Sequence, residues 1–162
     1  MTLYLLDANV LIRANEDHYP IDRIPQFWAW LLGQSAVGVI KLPRQIYDEV
    51  AQSTDLVGEW LKQAEVKAAL ILAEPTNAAR VRHVIEHGYA PDLNDIELEN
   101  IGRDPFLIAA ALGGANRVVV TREVSRPSKQ RANRKVPDVC ARFGLTVIND
   151  FALYRELRFG IA

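Results

Sequence analysis

Cysteine, methionine and histidine are scarce in this chain of 162 residues: one Cys, one Met and three His, with a formal net charge of −1. A lone Cys140 excludes an internal disulfide and agrees with a reducing cytoplasm. The near-zero net charge excludes a globally cationic nucleic-acid glove, so any such binding must come from local basic patches. Long hydrophobic runs are missing too. The strongest, such as Ala68 to Ala73, fall far short of the roughly 20 residues that span a bilayer, so no membrane segment is expected. No basic stretch precedes an apolar core at the start of the chain, and a signal peptide is not expected either. Hydrophobic residues make up 49% and charged residues 24%. With no repeat and no break in composition, residues 1–162 read as one soluble domain able to bury its own core.

What is present begins at once. Leu3-Tyr4-Leu5-Leu6 runs into Asp7-Ala8-Asn9, followed by Val10, Leu11 and Ala14 at helical spacing. A short apolar run bounded by a polar turn predicts a strand buried on both faces, then a tight turn and a helix. Asp7 would then stand at the carboxyl end of a central strand, where open α/β sheets bind ligands. As a bare residue it is equally suited to capping the next helix.

Further along, Ile24, Phe27, Trp28, Leu31 and Leu32 mark an amphipathic helix, with Trp28 and Trp30 as packing residues. Val37 to Leu42 predicts a second strand, and Pro43 suits the start of a helix carrying Ile46 and Val50. On that helix Glu49 lies about 60° from Ile46 and can reach inward, while Asp48 points away. Ser53 to Gly102 reads as mostly helical, with a helix over Ala79–His87 stopped by Gly88 and an acidic loop over Pro91–Gly102 that has room for a short turn of helix. Asp104-Pro105 is a strong helix start, and Phe106 to Leu112 is apolar all round, so this helix should be buried. Strands over Arg117–Thr121 and Thr146–Asn149 follow, with helices opening at Asp138 and Asp150. Alternating strands and helices predict an α/β fold, a doubly wound parallel sheet with helices on both faces.

In that fold Asp7, Glu49, Asp104 and Glu123 converge at the carboxyl edge of the sheet. Closely packed carboxylates repel and resist ionisation unless a cation neutralises them. An all-oxygen set suits Mg²⁺ or Mn²⁺ better than zinc, and such a site fits phosphodiester hydrolysis.

Leu6-Asp7-Ala8-Asn9-Val10-Leu11-Ile12, Asp104-Pro105-Phe106-Leu107-Ile108-Ala109-Ala110-Ala111 and Val119-Val120-Thr121-Arg122-Glu123 resemble, in order, the conserved blocks of the PIN-domain nucleases. Together with Tyr-Asp-Glu-Val (47–50), Val-Pro-Asp-Val-Cys (136–140) and Phe-Gly-Leu-Thr-Val-Ile-Asn (143–149), the chain resembles the PIN-like DUF4411 subgroup, akin to VapC toxins. The resemblance implies a Mg²⁺- or Mn²⁺-dependent endoribonuclease, a protein antitoxin as partner, and RNA as substrate. A homodimer is left open. It implies Asp7, Glu49 and Asp104 as metal-site acids and Asn9 as a supporting hydrogen bonder. Two positions depart from the family pattern: Glu123 stands where Asp is usual, and Ser125 where a second Asp follows. The fourth acid, catalytic and metal-binding, is then either Glu123 or Asp138, whose simpler role is to cap a helix.

Thr121 reads equally as a phosphate or water contact and as a strand-end residue. After it come Arg122, Arg126, Lys129, Arg131, Arg134 and Lys135, with one acid among them. A solvated loop is the ordinary reading of such a run, but its position after the third strand would hang it over the acids as a phosphate-binding rim. His83-Val84-Ile85-Glu86-His87 matches the His-x-x-Glu-His zinc-protease pattern. Gly88 and the small chain argue against that chemistry and for surface histidines. The reading that joins these features is a cytoplasmic metal-dependent ribonuclease. The alternative is a catalytically silent PIN-like module that binds RNA or protein.

Overall fold

The computed structural model describes residues 1–161. Its centre is a four-stranded sheet of β1 (Leu3–Leu6), β2 (Ile40–Lys41), β3 (Arg117–Val120) and β4 (Thr146–Ile148), in the order β2-β1-β3-β4. All pairs are parallel, with Leu5 beside Lys41 and Val119, and Val119 beside Val147. Leu5, Val119 and Val120 are fully buried. This is why the two inner strands read as continuous apolar runs rather than alternating ones.

Among the described residues ten α-helices connect and cover the strands: α1 (Ala8–Arg13), α2 (Pro25–Ala36), α3 (Arg44–Ala51), α4 (Leu56–Lys62), α5 (Ala64–Leu70), α6 (Ala78–Val84), α7 (Asp95–Ile101), α8 (Asp104–Leu112), α9 (Val136–Arg142) and α10 (Asp150–Glu156). From β1 the chain crosses to β2 on one side, then returns past β1 to β3 on the other. Right-handed crossovers send these two connections to opposite faces of the sheet, which is the doubly wound arrangement. The order reverses between β1 and β3, so a crevice opens beyond their carboxyl ends. Backbone bonds carry the ladder one residue past each strand there: Asp7 N–H donates to Val120 O at 2.9 Å and Thr121 N–H to Ile148 O at 3.0 Å.

The α8 helix packs into the centre of a contiguous apolar cluster. Pro105, Leu107, Ile108, Ala109 and Ala111 are buried, and its alanines let it lie close against β1 and β3. Trp28 is buried as expected, with its indole N–H donating to Tyr19 O at 2.7 Å, and Trp30 is partly buried among Phe27, Tyr154 and Phe159.

Four expectations need correction. The second strand spans only Ile40–Lys41, because α2 runs on to Ala36 and Gly38 turns the chain at φ +82°. The acidic segment holds more than a short helical turn in a loop: Asn94 and Glu97 form a reciprocal capping box that starts α7, which fills Asp95–Ile101. Gly88 does not stop its helix. After α6 the chain makes a π-turn over Ile85–Tyr89, closed by Ala90 N–H to Ile85 O at 3.1 Å. Gly88 is buried in that turn, where a Cβ would come within 2.7 Å of Val139 and 2.9 Å of Phe143. Finally, Asp138 lies inside α9, which begins two residues earlier at Val136.

Among the described residues no helix is long and apolar enough to cross a membrane.

Candidate active site

Asp7 ends β1 and is 6% exposed. Both its oxygens are held. Oδ1 accepts from Ala8 N–H at 2.8 Å, which also caps α1, and Oδ2 accepts from the Thr121 hydroxyl at 2.8 Å and from Asn9 Nδ2 at 3.3 Å. Thr121 Oγ1 in turn accepts from Glu123 N–H at 3.2 Å, and Asn9 Oδ1 accepts from Arg122 N–H at 3.1 Å. The β1–α1 turn is thus stapled to the chain leaving β3. Thr121, 1% exposed, offers no surface to a ligand; it orients Asp7. Asn9 likewise has both ends of its amide engaged within the turn.

Asp104 enters from the first turn of α8, opposite Asp7 in the crevice. Burial pushes its carboxyl up to about 8, helped by the negative charges of Asp7, Glu123 and Glu49, while Lys135 pulls the other way. Burial also raises Asp7 to about 6, against the Thr121 and Ala8 hydrogen bonds, with Glu123 and Glu49 adding to the rise. Both aspartates therefore feel the charges of Glu123 and Glu49. Glu49 is the outlier in exposure. It does not turn inward as expected but stays at the exposed border of α3, near enough to repel both aspartates.

Glu123 reaches two ways. Its Oε2 accepts from Val136 N–H at 2.8 Å and so caps α9, the task expected of Asp138. Asp138 instead takes the Ser125 hydroxyl on one oxygen and Arg126 N–H, at 2.8 Å, on the other, closing the loop on itself. The two acids have exchanged roles because α9 begins at Val136, which puts the unpaired amide beside Glu123.

A cleft of about 250 Å³ opens over Asp104 and Glu123, with Tyr89 in its wall and Lys129 and Lys135 on its rim. The basic loop thus does overhang the acids, through some of its cations. Arg134 is turned inward, donating to Gly88 O and, at 3.3 Å, to Asp138 O. Arg131 folds back on α7, bidentate to Glu97 at 2.9 and 3.0 Å and bonded to Asp92 at 2.8 Å. Neither is a free phosphate ligand in this arrangement. Arg126 is exposed outside the cleft.

Tyr89 was not marked by the sequence. Its hydroxyl is buried without a hydrogen-bond partner, and burial, Asp104 and Glu123 keep it protonated far above neutral pH. The signal lay only in long-range packing. The His83 and His87 side chains are exposed, 4.5 Å apart between ring centroids, on the outer side of α6 and its π-turn. Among the described residues no three His, Cys, Asp or Glu side chains are drawn together as a ready-made metal-ligand set, there or at the crevice.

A family model described as a domain of unknown function (DUF4411) matches residues 4–161. The chain belongs to the DUF4411 family. Comparison with curated proteins finds no match. Among solved structures this DUF4411 chain is similar to FitAcB from Neisseria gonorrhoeae, with a TM-score of 0.52 and 16% identity over 92% of this chain and 99% of that one. At that identity the likeness is one of fold, and the fold is PIN-like.

Proposed function

We propose that this DUF4411 protein is a divalent-metal-dependent endoribonuclease, acting in the cytoplasm as the toxin of a toxin–antitoxin pair. The observation that carries the reading is the acidic crevice itself: Glu123 and Glu49 add to the raised proton affinity of Asp7 and Asp104 at the switch point of a parallel sheet. A fold does not gather like charges in a half-buried crevice for stability, since each opposes the ionisation of the next.

The donor set is all oxygen, and it fits Mg²⁺ or Mn²⁺. Asp7, Asp104 and the second oxygen of Glu123 would hold the ion, with Glu49 at the border. Bound there, it would supply Lewis-acid stabilisation of charge on the phosphate and a water acidic enough to attack.

The protein's own groups do the rest. Thr121 and Ala8 fix the direction of both Asp7 oxygens, so that carboxylate is preorganised. Lys129 and Lys135 stand on the rim of the cleft, where a polyanion must enter, and would hold phosphates against the acids. Without a cation opposite it, Asp104 keeps its proton through neutral pH. Pairing with a protein antitoxin belongs to the same reading, through the likeness to VapC toxins.

One observation favours the alternative, a silent PIN-like binding module: Glu123 already has one oxygen committed to capping α9. Incubating RNA with the protein and Mg²⁺, with and without chelator, distinguishes them. A nuclease cuts, stops with chelator, and loses its cutting in Asp104→Asn. RNA bound but left intact under all conditions favours the silent module.

A further inference from the structure

On the other side of Glu123 lies a second cleft, of about 430 Å³, between the ends of β3 and β4. Its floor holds Asp150, whose position is unusual for a residue at the start of a helix. The side chain is 1% exposed; Oδ1 accepts from Phe151 N–H at 2.9 Å, but Oδ2 has no hydrogen bond at all. Two arginines from distant parts of the chain converge on that oxygen: Arg122 Nε at 3.6 Å and Arg13 Nε at 3.9 Å. Arg13 is fixed further, by an Nε bond to His18 Nε2 at 2.7 Å and by its guanidinium carbon lying 5.0 Å from the centre of the Phe151 ring. Arg122 is fixed by its backbone, which Asn9 holds at 3.1 Å.

These contacts use Nε, the inner nitrogen. Among the described residues no acceptor takes a hydrogen bond from the outer Nη groups of either arginine, and the side chains are 19% and 33% exposed at the cleft. Two guanidiniums face one buried carboxylate; the other acids near them are Glu123, which lines the cleft, and Asp17, 4.0 Å from Arg13 and mostly solvated. Free, forked donors with a fixed base are what a phosphate oxygen pair needs.

We propose that Arg13 and Arg122 form a second phosphate subsite, which binds a backbone phosphate of single-stranded RNA beyond the one held over the acids. This rests on the ribonuclease reading and extends it to the path of the substrate. Glu123 borders both clefts, so a strand entering past Lys129 and Lys135 crosses the acids and leaves over Arg122 and Arg13. The contact is ionic and indifferent to base, because Arg13 already covers the Phe151 ring.

The test is binding of a fluorescent single-stranded RNA octamer to the whole protein by anisotropy, without divalent metal, over a range of salt. Arg122→Gln should weaken binding about five- to tenfold near 0.1 M salt and lower the salt slope by about 0.7, the value of one lost phosphate contact on a single strand. Because Arg122→Gln leaves Asp150 less compensated, the paired change Arg122→Gln with Asp150→Asn is measured beside it, with thermal melts of each, and should show the same loss. Wild-type binding with unchanged affinity and slope in a folded variant overturns the subsite while leaving the ribonuclease reading intact. Wild-type protein that binds no RNA without metal but cuts it in Mg²⁺ overturns the subsite alone, and protein that neither binds nor cuts overturns both readings. RNA bound with the expected slopes but left intact once Mg²⁺ is added supports the subsite and points to the silent module.

Discussion

At the scale of single residues, the crevice is a balance between burial and hydrogen bonding. Asp7 is pulled toward its neutral form by burial and toward its charged form by Thr121. Replacing Thr121 by Val keeps the shape and removes the donor. We expect a loss of about 1.5–3 kcal/mol, the usual range for a hydrogen bond to a charged group, read from the urea midpoint at pH 7. Asp104 has no comparable donor. Its folded pKa of about 8 and that of Asp7, about 6, both lie above the ordinary carboxylate value. Between about pH 4 and pH 8 the folded protein therefore holds protons that the unfolded chain has lost, so metal-free stability falls as pH rises through that window. The fall should amount to a few kcal/mol, be flatter in Asp104→Asn, and be reversed by Mg²⁺; equal slopes for wild type and Asp104→Asn would remove Asp104 as its source.

At the scale of elements, the loop between β3 and α9 is held by pairs that no local pattern announces. Arg131 finds Glu97 and Asp92 more than thirty positions away, and Arg134 finds the carbonyl of Gly88. Asp138 closes the loop at Arg126 and Ser125. Asp138→Ala should leave the melting temperature nearly unchanged yet raise amide hydrogen exchange across residues 122–135, since it frees a surface loop and opens no core. Gly88→Ala should do the reverse. Its methyl would strike Val139 and Phe143, costing about 1–3 kcal/mol and lowering the melting temperature. Elements with dense local signals were legible in the sequence: β1 with Asp7, and α8 behind Asp-Pro, both announced by continuous apolar runs bounded by helix-start residues. The π-turn at Gly88, the capping of α9 by Glu123 and the short β2 were not, because each depends on which distant group packs there. The exchange between Glu123 and Asp138 turns on a shift of two residues in a helix start, the feature of a helix that sequence defines least.

At the scale of the whole molecule, the strand order explains why acids from separate stretches come close enough to shift Asp7 and Asp104. Reversal between β1 and β3 opens the crevice, and the crossing of α8 behind both strands brings Asp104 to its mouth. The near-neutral net charge is then no obstacle to holding a polyanion, since four cations line the two clefts: Lys129 and Lys135 in one, Arg13 and Arg122 in the other. What the topology assembles is the central claim, and cleavage of RNA tests it most directly. Wild type, Asp7→Asn and Asp104→Asn are incubated with labelled single-stranded RNA in Mg²⁺, with melting curves confirming that all three fold. Wild type should cut, with cutting slowed at least a hundredfold in either variant and abolished by chelator. Cutting that persists unchanged in the folded variants would contradict the claim.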